Sequence, residues 1–152
     1  MFGFIITKKK LLNILLVFVL GVTLLCMIVF KVSDNKNVVA LQPATDTLER
    51  VAFIENLGYT VNRETPEESK DIQIPYVFND IYNQYQKIQQ KGGYDLTKYS
   101  GINATLYTYS LIYKNRTDVY AHLLVVDEKV IGGDISALSV EDGFINPLTP
   151  MN

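Results

Sequence analysis

INATLYTYSLIYKNRTDVYAHLLVVDEKVIGGDIS, residues Ile102 to Ser136, decides the fold of this chain. Ile102 to Tyr113 and Val119 to Val126 are rich in β-branched and aromatic residues, and Asn115 to Asp118 supplies turn formers between them. Asp127-Glu128-Lys129 turns the chain again into Val130 to Ser136, so the stretch predicts a three-stranded meander. Tyr107, Tyr109 and Tyr113 fall on one face of its first strand, because strand side chains alternate.

Upstream, Asp46 and Glu49 have the spacing of a capping box with an acidic N-cap. Leu48, Val51, Ile54 and Leu57 recur at helical spacing before Gly58, predicting a helix over Asp46 to Leu57. Tyr59 to Val61 reads as a short strand, Asn62 to Lys70 as an acidic loop containing Pro66, and Ile72 with Ile74 as a second strand ending at Pro75. Phe78, Ile81, Tyr82, Tyr85 and Ile88 define the apolar side of a second helix closed by Gly92-Gly93. Asn83, Gln84, Gln86, Lys87 and Gln90 are placed on its outer side. The expected fold class is α+β, with two helices packed on one face of a mostly antiparallel sheet of about five strands.

Leu11 to Phe30 is a run of twenty residues without a charge, preceded by Lys8, Lys9 and Lys10. At about 1.5 Å per residue a helix of this length spans roughly 30 Å, the thickness of a bilayer's hydrocarbon core. The lysines favour a cytoplasmic N-terminus over residues 1–10, with 31–42 as a tether and 43–152 as one extracytoplasmic domain. A cleaved signal peptide is the nearest rival, with Val38 and Ala40 before a cut, but the apolar run is too long and ends too far upstream. Cys26 follows Leu25, which is bulky where a lipoprotein box wants a small residue. The bilayer, reached through 11–30, is thus the first expected partner. Ten residues before the anchor leave no room for a cytoplasmic domain.

From Ala40 onward there is no cysteine, so the outer domain is expected to fold without disulfides or thiol chemistry. That same stretch holds fifteen acidic and nine basic side chains, a net charge of about −6, which argues against nucleic acid as a partner.

His122 is the chain's only histidine, so a His-based metal cluster is not available and any triad would hang on one imidazole. Its plain reading is a strand residue with a hydrogen-bonded ring. The acidic pairs Glu67-Glu68, Asp127-Glu128 and Glu141-Asp142 fall in expected loops, where adjacent carboxylates are solvated. Gly132-Gly133-Asp134 stands out, because paired glycines inside a strand imply a bulge, a sharp turn or the close approach of another backbone. A ligand nearing the main chain, anchored by Asp134, is the functional alternative. Tyr107 and Tyr109 are candidate binding residues for the same reason that they suit a half-buried sheet: a large apolar ring with a polar tip. No residue is assigned a catalytic or metal-binding role, and no cofactor is expected.

Several strings then stand together: Ile72-Gln-Ile-Pro75, the helix with Tyr82, Tyr85 and Gln89, Gly93-Tyr-Asp-Leu96, Tyr99-Ser-Gly101, the Tyr107 to Tyr109 strand and Val130-Ile-Gly-Gly-Asp134. They resemble an uncharacterised family of small, single-pass membrane proteins of anaerobic Gram-positive bacteria, a domain of unknown function. The resemblance spans nearly all of the outer domain and implies an intact surface domain. It brings no catalytic residue with it. Where that family often has tryptophan after the glycine closing the first helix, this chain has Tyr59.

The expected function is a membrane-anchored, non-enzymatic interaction or regulatory domain whose partner is a membrane or cell-wall protein. A cell-wall or peptide hydrolase working through acids with Asp134 or His122 is the alternative. Protease added to intact protoplasts is expected to remove the chain from Ala40 onward while the first thirty residues stay with the membrane. Full protection of the domain would overturn this topology, and a mature N-terminus near Leu41 would show a cleaved signal instead.

Overall fold

The computed structural model describes residues 42–114 and 116–151. The expected anchor with Cys26, the N-terminal decapeptide and the tether as far as residue 41 lie outside the described residues. Among the described residues no helix is long and apolar enough to cross a membrane. The fold is α+β: two helices pack against an antiparallel sheet of six strands.

Helix α1, Thr47–Asn56, begins where the sequence places it. Asp46 Oδ1 accepts from the Glu49 amide at 2.8 Å, satisfying one orphan donor of the helix start, and the Glu49 carboxylate accepts from the Thr45 amide, just before the N-cap, at 2.9 Å. Gly58 ends it with φ +89°, a conformation that other residues rarely adopt. Helix α2, Asp80–Lys91, is capped by Asn79, whose side chain accepts from the Tyr82 amide at 2.9 Å, and a 3-10 turn follows at Leu96–Tyr99.

The strands are β1, Thr60–Val61; β2, Glu68–Gln73; β3, Asn103–Tyr113; β4, Arg116–Val126; β5, Lys129–Ala137; and β6, Phe144–Pro147. The long meander β3-β4-β5 forms the centre. β1 and β2 lie end to end along the outer edge of β3, and β6 pairs with the outer edge of β5. Two parts of this differ from the sequence reading. Glu68, Ser69 and Lys70, expected in a loop, are the first half of β2; their side chains are exposed and they pair through the backbone with β3, as suits a charged edge strand. β6 was not expected at all, being short and ending in a proline that only an edge tolerates.

Both faces of the centre are buried. Leu123, Leu124 and Val125 are buried in succession, and β5 is buried from Val130 to Ala137. Val119, Ala121, Leu123 and Val125 pack with Tyr109, Leu111, Ile135 and the α1 residues Val51 and Ile54. Leu124 turns the other way, joining Ile131 and Leu96, with Tyr85 of α2 packed beside them. The two helices therefore cover opposite faces, and the expectation that both share one face is corrected. A strand apolar at successive positions needs a cover on each side.

β4 and β5 join through Asp127 and Glu128, whose φ values of 48° and 60° are both left-handed, the pattern of a two-residue type I′ hairpin. Neither is glycine or asparagine, so the turn carries strain that a glycine would relieve. Glu128→Gly is expected to stabilise the domain by roughly 0.5–1 kcal/mol in urea unfolding. A loss of stability would mean that the Glu128 side chain itself holds the turn.

Candidate functional site

The site begins with what Gly132 and Gly133 permit. A Cβ on Gly133 would fall well inside 3.0 Å of the His122 carbonyl oxygen, and one on Gly132 would lie 2.7 Å from Gln89 Oε1 and 2.9 Å from Leu96 Cδ2. The register shifts between Leu124 and Val125, which leaves Ile131 as the extra residue of a bulge beside the glycines. The glycines thus accept both the backbone of β4 and the side chains delivered by α2 and the 3-10 turn.

Gln89 is fully buried. Its Nε2 donates to the Gly133 carbonyl at 2.9 Å, and its Oε1 accepts from the Gly133 amide at 2.8 Å. Pairing of β6 to β5 ends at Asp134, and the segment Gln42–Ala44 bonds β5 only near Glu128 and Val130, so the Gln89 amide fills the gap between them as a one-residue strand. Gln86, placed on the outer side of α2 by its periodicity, is buried too: it accepts from the Leu96 amide at 3.0 Å and donates to Asp95 at 2.7 Å. Ile81, placed on the inner side, is exposed. The buried face of α2 is therefore rotated from the expected one, because two glutamines with backbone work to do displace an isoleucine.

Docked in this way, α2 carries the Tyr85 hydroxyl to Asp134 Oδ2 at 2.8 Å. Burial, and then the neighbouring carboxylate, push the Tyr85 phenol far above its ordinary range, so it remains a donor. Asp134 Oδ1 lies 3.0 Å from His122 Nδ1, and Ser136 Oγ lies 3.2 Å from the same nitrogen. A carboxylate on Nδ1 favours the tautomer with its proton there, which would bring Ser136 Oγ in as a second acceptor. Among the described residues nothing hydrogen-bonds to His122 Nε2. The expected hydrogen-bonded strand histidine is found, with one nitrogen left open.

These polar groups line a cavity of about 320 Å³ whose other walls are apolar, among them Ile72, Leu106, Leu124, Leu138 and Ile145. A second recess of about 360 Å³ shares Tyr82, Tyr85 and Ile145 with it. Of the sequence candidates, Asp134 reaches this cavity, while Gly132 and Gly133 shape it from behind.

Tyr107 and Tyr109 point to the opposite face, and the structure does not bring them to the cavity. The buried Arg50 guanidinium stacks 3.8 Å from the Tyr107 ring centroid, donates to Tyr109 Oη at 2.8 Å and to the Ala44 carbonyl at 2.9 Å, and forms an ion pair with Glu67 at 3.0 Å. Tyr109 donates to Glu67 in turn. Burial opposes the charge on Arg50, but its hydrogen bonds to Tyr109 and Glu67 outweigh that and hold it protonated. Arg50 thus engages the Tyr107 ring and the Tyr109 hydroxyl on the α1 face.

Among the remaining acids, Asp127 and Glu128 form the hairpin and Asp142 pairs with Arg116. Among the described residues no three His, Cys, Asp or Glu side chains group as a metal site. No family model, curated protein or solved structure matches the chain.

Gln89→Ala strips a buried amide and carbonyl of their partners and is expected to destabilise the domain by about 2–4 kcal/mol in urea unfolding. Gly133→Ala is expected to cost about as much by overpacking. A neutral Gln89→Ala would show that water or a shifted backbone closes the edge instead.

Proposed function

We propose that this chain is a membrane-anchored, extracytoplasmic interaction or regulatory domain that binds through the His122 cavity and performs no chemistry there. The segment 11–30 holds it to the bilayer, and its partner is a membrane or cell-wall component. The observation that carries this is the placement of both oxygens, Asp134 Oδ1 and Ser136 Oγ, on the one nitrogen His122 Nδ1. A nucleophilic relay needs the serine on the other nitrogen, across the ring from the acid. The cavity is also lined by no Lys or Arg that could steady a developing negative charge.

One feature favours the second reading, a cell-wall or peptide hydrolase. An acid-held imidazole with a bare Nε2 can act as general base on a water. It would need electrophilic help from outside the lining residues.

A photo-crosslinker at Leu138, exposed on the cavity rim, is expected to capture one specific component in living cells that the same crosslinker at the solvent-exposed Lys98 does not capture. The purified full chain is expected to leave wall peptides uncut. Cleavage that His122→Ala abolishes would replace this reading with the hydrolase.

A further inference from the structure

Strand β6 is an open edge, and the groups it leaves unpaired follow from the strand beside it. Gly133 bonds Gln89 through both its amide and its carbonyl, on the side of β5 that faces away from β4. Backbone groups alternate in direction along a strand, so Ile135 and Ala137 also turn theirs away from β4, toward Asn146 and Phe144 of β6. Ile145 lies between those two partners, and its amide and carbonyl therefore point outward. Among the described residues no other group bonds to them. The Ile145 side chain is exposed and lines the recess of about 360 Å³ together with Ile81 and Ile88 of α2. Unpaired backbone beside apolar side chains is a template for another strand.

Charge selects the occupant. Tyr85 reaches Asp134, Gln89 reaches Gly133, and a Cβ on Gly92 would sit 3.3 Å from the Leu148 carbonyl, so α2 runs against β5 and along β6. The edge is acidic where β6 starts, at Glu141 and Asp142, and basic where it ends, beside Lys91. Asp142 is paired with Arg116, but Glu141 and Lys91 are exposed and have no ion pair among the described residues. A second copy laid antiparallel brings the acidic end of each edge to the basic end of the other, whereas a parallel copy sets like charge on like. We propose that this chain self-associates through β6, two copies pairing antiparallel about a two-fold axis at Ile145 into one continuous sheet. On that axis each Ile145 amide donates to the Ile145 carbonyl of the other copy, and Glu141 meets Lys91 of the other copy. Pro147 has no amide hydrogen and keeps the pairing short, so the exposed apolar side chains of Ile81 and Ile145 supply the rest of the contact. This goes beyond the binding role of the His122 cavity and does not depend on it.

The test is disulfide trapping of the full chain in membranes, on a Cys26→Ser background because Cys26 is the only cysteine. Residues opposite one another in a hydrogen-bonded antiparallel pair have Cα atoms about 5.5 Å apart, within disulfide reach. Under mild oxidation Ile145→Cys is expected to form a covalent homodimer roughly tenfold faster than Lys98→Cys, an exposed position on the 3-10 turn. With Ile145→Cys in place, Glu141→Lys and Lys91→Glu are each expected to slow trapping about fivefold, and the two together on one chain to restore it. Restoration requires two copies of this chain, because a different partner would not carry the compensating charge. Glu141, Lys91 and Ile145 are exposed, so the fold is retained in every variant. Trapping no faster at Ile145 than at Lys98, or no rescue by the double reversal, overturns the proposal. So does an Ile145→Cys adduct with another protein in place of the homodimer, which would give this edge to an unrelated extended peptide.

Discussion

Everything around the cavity depends on the absence of a side chain at Gly133. No Cβ fits against the His122 carbonyl, and the space left empty allows β4 and β5 to approach while the Gln89 amide closes on the backbone from the side. That clamp sets the position of α2 along the sheet. Four residues back on the same helix, Tyr85 is then delivered to Asp134, and Asp134 orients His122. A steric vacancy in one strand is thus transmitted, through one turn of helix, to the protonation geometry of a ring on the next strand.

The two faces of the sheet solve the burial of polar groups in different ways. On the α1 side, Arg50 is held by a ring, two hydroxyls, a carbonyl and a carboxylate of the same domain. Such a network fixes the packing of α1 against β3 and offers nothing to a ligand. On the α2 side the hydrogen-bonded groups Tyr85, Asp134, His122 and Ser136 line an unfilled volume.

The legible parts of the fold were those written in short-range patterns. The Asp46–Glu49 box and Gly58 bracketed α1, and β-formers broken by turn residues delimited β3, β4 and β5. Elements whose existence depends on a neighbour were not legible. Half of β2 is polar and is a strand only because β3 has a free edge, and β6 exists because β5 has one. Glutamines count as outward-facing in any amphipathic tally, so Gln86 and Gln89 were hidden by their chemistry rather than by weak signal. The opposite placement of the helices had a visible sign, the consecutive apolar residues Leu123, Leu124 and Val125. At the site, Gly132-Gly133-Asp134 announced itself, whereas the partnership of Asp134 with Tyr85 and His122 is a product of register and docking that no local pattern carries.

The way the chain enters the sheet has a mechanical meaning. Gln42–Ala44 joins β5 through two backbone hydrogen bonds, Ala44 to Glu128 and Gln42 to Val130, before α1 begins. A pull applied at Gln42 loads this short bridge ahead of the helix. Arg50 grips the Ala44 carbonyl just behind it, so tension that peels the bridge away next reaches the guanidinium network. The entry segment is thus tied to the sheet by backbone bonds and to α1 by a guanidinium, so a load along the chain meets these contacts before the strands that frame the cavity.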